Sequence, residues 1–231
     1  LINIVSVDNK LPDNSLIRKI LDDDNCKLGE YSCVGFQKHI NNIDEIDLFK
    51  NMLFETYSLG KIKNKIANTE PVFRNSDLID INIRSVKSGD INNSHEFTNG
   101  LSSYEYCNLS RFAGLSKNLD LISFSSLYQS SAISSLISEG IWYAIDGMNN
   151  VIDENIDLNS ENFIVYNVTV NNYDLKFVKS LITNRWWVSL ENTNLVQIEK
   201  SYIPCVEDDY LLSKNSIISD RILSRIKNKI S

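Results

Sequence analysis

A mixed α/β fold with a mostly parallel sheet is what this sequence predicts, on three observations. Residues 119–124 form a short apolar run of strand length that feeds an amphipathic helix over 130–148, half of a strand–helix–strand unit. Strand-like runs at 1–7 and 78–83 alternate with helical patterns at 42–59 and 102–114. Beyond residue 150 the pattern becomes that of a β-hairpin, 163–170 and 175–178 about an Asn171-Asn172 turn, extended by 185–190. This antiparallel piece is expected at the edge of the parallel sheet or as a small extension of it.

The first strand, 1–7, starts at Leu1 with no preceding cap or tail, the expectation for a chain that begins inside a larger fold. It ends at Asp8. That carboxylate is either a turn aspartate in Asp8-Asn9-Lys10 or an active-site group at the C-terminal edge of a parallel strand. Residues 15–21 read as a helix, 22–25 as its solvated stop, and 32–40 as a strand carrying His39 near its end. In the helix over 42–59, Ile46, Phe49, Leu53 and Tyr57 make the apolar stripe, Asp44, Glu45 and Asp47 favour its N-terminus, and Gly60 stops it.

Asp80 and Asn82 lie on one face of the strand at 78–83, with Ile79, Ile81 and Ile83 on the other. The polar pair suits a shared metal or simply a wet sheet face. A polar loop with His95 fills 88–100. Ser102 and Glu105 stand at capping-box spacing before the helix that Gly114 ends. In the helix after 119–124, a stripe of Ile133, Leu136, Ile137, Ile141, Ala144, Ile145 and Met148 is expected to face the core, and the strand before it to be an inner one. Trp186 and Trp187 point to opposite faces of an extended chain, so at least one is free to be exposed; packing at the edge of the core is the more ordinary role for the pair, an interaction surface the other. Acidic residues 207–209 start a short helix, and Ile218, Ile222, Ile226 and Ile230 stripe the last one.

At 231 residues a single domain with a real core is expected. The apolar content is 42%, and no run approaches the roughly 20 apolar residues of a membrane span. A net charge of −7 with scattered Lys and Arg argues against general nucleic-acid binding. Cys26, Cys33, Cys107 and Cys205 lack CxxC spacing and stand among only two histidines, which indicates neither a zinc site nor a disulfide framework but reduced thiols in a cytoplasmic protein. No phosphate-cradling glycine loop, GxSxG elbow or HExxH is present.

Three segments, CNLSRFAGLS (107–116), IWYAIDG (141–147) and NRWWVSL (184–190), in this order and separation, resemble the formimidoylglutamase-like branch of the arginase and agmatinase (ureohydrolase) superfamily, of the kind common in Bacteroidota. The resemblance covers essentially the whole chain and is specific over 104–190. It implies a three-layer α/β/α fold of which this chain is the latter part. It also implies two Mn²⁺ ions held by a His, an Asp-x-His-x-Asp run and an Asp-x-Asp pair, generating a hydroxide that attacks a guanidinium or formimino carbon.

Placed on this sequence, those ligands are degenerate. Asp8 matches the first aspartate, but Lys10 stands at the His, and Pro12 or Asp13 falls near the second Asp. Asn82 and Arg84 occupy the Asp-x-Asp positions; a slip to Asp80 and Asn82 recovers one carboxylate. Ser125 or Ser126 stands where active members carry a Glu. A Lys ammonium in a metal cage repels the ions.

The resemblance with these departures implies a non-catalytic ureohydrolase-fold protein, a scaffold or interaction subunit, with no cofactor. The superfamily's trimers and hexamers make a homo-oligomer as fitting as a foreign protein partner. Arg185, Trp186 and Trp187 are the expected interaction residues, because Trp and Arg dominate interface hot spots. The alternative is a Mn²⁺-dependent hydrolase of linear C–N bonds, in formiminoglutamate, agmatine or another guanidino compound, with Asp8 and Asp80 as metal ligands.

Overall fold

The computed structural model describes residues 2–12, 19, 27–92, 97–127, 129–190 and 202–230, without the side chains of 190 and 226–230. The helix expected at 15–21, its stop, Cys26 and His95 lie outside the described residues. The chain divides into two compact units, Leu1–Ile152 and Asp153–Ser231.

The first unit holds a five-stranded, wholly parallel sheet of β1 (Ile2–Val7), β2 (Leu28–Phe36), β3 (Glu55–Ser58), β4 (Leu78–Asn82) and β5 (Leu121–Ser125), in the order β3-β2-β1-β4-β5. Its helices are α1 (Ile43–Asn51), α2 (Leu59–Asn64), α3 (Glu70–Phe73), α4 (Ser88–Ile91), α5 (Ser103–Gly114) and α6 (Ser131–Asn149). Strand alternation sends Val5, Val7, Ile79 and Ile81 into a core with Tyr106 and Leu109 of α5 and Ile133 and Leu136 of α6. On β2 Tyr31, Cys33 and, past the irregularity at Gly35, Phe36 pack with Ile46 and Phe49 of α1 in a second cluster. Helices on both faces of a parallel sheet make this an α/β fold, as the sequence predicts.

The helix expected over 42–59 ends early. Its capping box is present, with the Asn42 side chain accepting from the Asp44 N–H at 3.2 Å and Glu45 accepting from the Asn42 N–H at 3.3 Å. The chain then turns at Leu53, φ 56°, and Glu55–Ser58 join β2 as a strand. Edge pairing of Thr56 and Tyr57, both good strand formers, outweighs the helical spacing of Leu53 and Tyr57. The expected inner strand at 119–124 is also corrected: β5 pairs only with β4 among the described residues, and Leu121 is exposed.

α6 buries the expected stripe only in part: Ile133, Leu136 and Ala144 are buried as expected and Ile137 packs against the core, but the later large residues do not. Ile133, Leu136, Gly140, Ala144 and Gly147 face inward, while Ile141, Ile145 and Met148 are exposed. The reason is backbone-to-backbone packing on α5. A Cβ on Gly114 would lie 2.0 Å from the Ala144 carbonyl oxygen, and one on Gly147 would lie 2.4 Å from that of Arg111. Only small residues permit that approach, so the C-terminal half of the helix turns Gly140, Ala144 and Gly147 inward and Ile141, Ile145 and Met148 outward.

The second unit is a separate four-stranded antiparallel sheet, not an extension of the parallel one: β6 (Phe163–Val170), β7 (Tyr173–Ser180), β8 (Trp186–Leu190) and β9 (Ile203–Cys205), in sequential order. Asn171 and Asn172 both take positive φ, 47° and 69°, the hairpin turn their identities predict. Two helices follow, α7 (Glu207–Lys214) and α8 (Asp220–Ile230). Ile218 and Ile222 enter the core of this unit with Phe177 and Trp186.

Neither tryptophan is exposed: Trp186 is 4% and Trp187 6% accessible. Trp186 stacks on Tyr166 and on Tyr210 of α7, with centroids 5.5 and 5.2 Å away. Trp187, on the opposite face of β8, lies edge-on to Phe163 at 6.4 Å. Alternation does separate the rings, but both faces of the strand are covered where they sit.

Candidate functional site at the carboxyl ends of the parallel strands

Polar residues collect where β1, β2, β4 and β5 end. Asp8 continues β1 by one residue, its N–H donating to the Val34 carbonyl at 2.9 Å. The next residue, Asn9, is buried. Its side-chain amide donates to the Arg84 carbonyl at 3.0 Å, and its own carbonyl accepts from the Gln37 N–H and the Asn41 amide, each at 3.1 Å. The turn is held further by Asn41, whose side-chain oxygen accepts from the Leu11 N–H at 2.7 Å. Gly35, at φ +104°, lets β2 pass the Asp8 carbonyl; a Cβ there would sit 3.1 Å from that oxygen.

This frame fixes the Asp8 carboxylate. Its Oδ2 accepts from the Asn82 amide Nδ2 at 2.7 Å and its Oδ1 from the Lys10 N–H at 3.1 Å. Asn82 is itself oriented, its Oδ1 accepting from the Arg84 N–H at 3.0 Å and its carbonyl from the Ser85 hydroxyl at 2.6 Å. Asp80, two residues earlier on the same strand face, lies in register between Ser6 of β1 and Ser123 of β5. It accepts from the Ser125 hydroxyl at 2.8 Å. The serine at the position of the expected Glu thus serves as a donor to Asp80.

Burial pushes the Asp8 carboxyl above its ordinary value, with the Lys10, Asn82 and Asn9 hydrogen bonds opposing and the Asp80 charge adding to the rise. Burial likewise raises Tyr31, with Cys33, Asp80 and Asp8 contributing. The structure therefore brings Asp8 and Asp80 into one electrostatic site. Burial and the Asp8 charge also push the Cys33 thiol up, and its Sγ lies 3.7 Å from the carbonyls of Asp8 and Lys10. A buried neutral thiol of this kind is not a nucleophile.

Arg185, Trp186 and Trp187 belong to the second unit. Sequence reasoning missed Gln37, Asn41 and Asn99. Gln37 donates to the Asn99 carbonyl at 3.0 Å, and its oxygen accepts from the Asn99 amide at 3.2 Å, tying the end of β2 to the loop before α5. The only signal was the place of Gln37 and Asn41 shortly after the end of β2.

The arrangement does not fit a pair of Mn²⁺ ions. Each Asp8 oxygen already accepts an N–H, and the group aimed at Oδ2 is an amide NH₂, whose positive end repels a cation. The amide oxygen of Asn82 is turned to Arg84. Among the described residues, no three His, Cys, Asp or Glu side chains converge on a point that would hold a metal.

No protein-family model and no curated protein matches the chain. Solved structures do. A Mn²⁺-containing formiminoglutamase from Trypanosoma cruzi aligns with TM-score 0.58 and 16% identity over 65% of this chain and 56% of its own. Formimidoylglutamase from Bacillus subtilis aligns with TM-score 0.56 and 11% identity over 66% and 55%. An arginase superfamily protein from Trypanosoma cruzi gives 0.55 and 15% over 65% and 57%. Over the matched part the chain thus has the fold of these solved structures, little more than half of whose own length it spans.

Proposed function

We propose that this protein is a non-catalytic member of the ureohydrolase fold that works by binding a protein partner. The observation that carries the reading is the bond from the Asn82 amide to the Asp8 carboxylate at 2.7 Å. Metal-assisted hydrolysis needs free anionic oxygens to hold the ions. Here the best-placed carboxylate already accepts an N–H on each oxygen, and its nearest side-chain neighbour is an amide donor rather than a second anionic ligand. Buried thiols at Cys33, Cys107 and Cys205 suit a reducing compartment and support a cytoplasmic protein.

Burial of both Trp rings moves the binding surface from Arg185, Trp186 and Trp187 to the outer face of α6. There Trp142 is 61% exposed, and Ile141, Ile145 and Met148 form a contiguous apolar stripe beside it. α6 carries Glu139 and Asp146, the latter paired with Arg111 of α5 at 2.7 Å, and no Lys or Arg of its own, on a chain of net charge −7. The partner this fits is a protein face apolar at its centre and basic at its margin. Trp142→Ser with Ile145→Ser should release such a partner from the tagged full chain, leave thermal stability unchanged, and be mimicked in part by salt. Retention of the partner by the double variant, or complexes made only of copies of this chain, would contradict this surface.

One observation favours a second reading, a Mn²⁺-dependent hydrolase of linear C–N bonds: Asp8 and Asp80 share a site in the fold of a formiminoglutamase solved with Mn²⁺. Under it, Asp8→Ala and Asp80→Ala each abolish Mn²⁺-dependent turnover of formiminoglutamate or a guanidino compound. Absence of turnover by the full chain in excess Mn²⁺ supports the non-catalytic reading.

A further inference from the structure

We infer that the Asp8–Asn82 pair is a metal-free clasp that joins the carboxyl ends of β1 and β4, and that the identity of residue 82 closes this site to divalent cations. This rests on the non-catalytic reading.

The geometry is that of a structural cross-link. β1 and β4 pair in register from Ile4 with Leu78 to Val7 with Ile81, and there the ladder stops. One residue further along each strand, Asp8 and Asn82 continue the connection through side chains at 2.7 Å. Both ends are braced from behind, Asp8 by the Lys10 N–H and Asn82 by the Arg84 N–H. A second link runs from Arg84 back to β1 through the Asn9 amide. The Asp80–Ser125 bond repeats the device between β4 and β5. Every polar side-chain atom of the Asp8–Asn82 contact has a defined complementary partner, as a contact that holds two strands requires.

Residue 82 decides what the site holds. As an amide it donates to Asp8. As a carboxylate it would face Asp8 across the same short contact, with Asp80 on the same strand face. Three carboxylates so placed repel one another unless a proton or a cation lies among them. Asn82→Asp is therefore expected to convert a self-sufficient link into one that needs a divalent ion. The exchange Asp8→Asn with Asn82→Asp keeps every bond: the new amide at 8 donates to the new carboxylate at 82, while both still accept their backbone N–H groups.

Thermal unfolding of the full chain in EDTA and in Mn²⁺ tests this without reference to any activity. Asn82→Asp should lose about 2–4 °C in Tm or more in EDTA, and Mn²⁺ should restore it. The double exchange should regain the native Tm in either medium. The clasp is overturned if Asn82→Asp is as stable as the native chain in EDTA, or if neither Mn²⁺ nor the exchange recovers its loss. A Mn²⁺-dependent rise in the native chain's own Tm would instead sink the non-catalytic reading.

Discussion

Gly114 of α5 and Ala144 of α6 meet backbone to backbone: a methyl group on the glycine would stand 2.0 Å from the alanine's carbonyl oxygen. This close approach goes with Ile141, Trp142, Ile145 and Met148 facing outward, and the proposed binding surface depends on it.

Gly114→Ala should therefore force the helices apart and destabilise the protein by about 2 kcal/mol or more, as overpacking and backbone shifts do. Gly60 has open space where its Cβ would go and no unusual backbone angle, so Gly60→Ala should be neutral or stabilise by about 0.4–1 kcal/mol. Urea unfolding of the two variants checks the contrast.

The two exposed and buried tryptophans should separate cleanly. Trp186→Ala removes a ring stacked on Tyr166 and Tyr210 and should cost about 3–5 kcal/mol. Trp142→Ala, on the outer face of α6, should change stability by less than about 0.5 kcal/mol. Denaturant midpoints of the two variants measure both.

The pH dependence carries the signature of Asp8. Its folded-state pKa lies above the ordinary 3.8, so the folded protein holds the proton more tightly than the unfolded chain. Stability from this group is present below 3.8 and falls as pH rises from there through the raised value. Asp90 and Glu105 act oppositely: despite burial, hydrogen bonds from Ser103 and Lys87 and from Ser102 and Lys63 lower them, so their contribution is lost on acidification. The native chain should therefore gain stability relative to Asp8→Asn as pH is lowered through the raised value towards 3.8. A constant difference would contradict the burial assigned to Asp8.

Thiol reactivity gives a further check. Cys33 and Cys205 are buried, and burial with the Glu139 charge pushes the Cys107 thiol up to about 11. With Cys26→Ser in place, a thiol reagent at pH 8 should label the native protein only at the rate of unfolding. Immediate labelling of any of the three would show an open core.

Much of the fold was legible because local and global signals agreed: the helix start at Asn42, the capping box at Ser102, the Asn171-Asn172 hairpin, and alternation through Ile79 and Ile81. The failures share a cause. Tyr57 and Leu53 fit a helical stripe, yet strand pairing with β2 claimed residue 57. The α6 stripe was read from hydrophobicity, whereas close helix approach is set by missing side-chain volume at Gly114, Gly140 and Gly147. At the site, Asp8, Asp80, Asn82 and Ser125 were visible as residues in known positions. The direction of the Asn82 amide was not, since it depends on the long-range contacts of Asn9, Gln37 and Asn41.

The most direct test of the central claim is elemental analysis of the full natural chain after loading with Mn²⁺ and desalting. An Asp8 carboxylate committed to Asn82 and Lys10 should retain far less than one equivalent. Near-stoichiometric retention of about two Mn²⁺ per chain, the complement of a two-metal hydrolase, would contradict it.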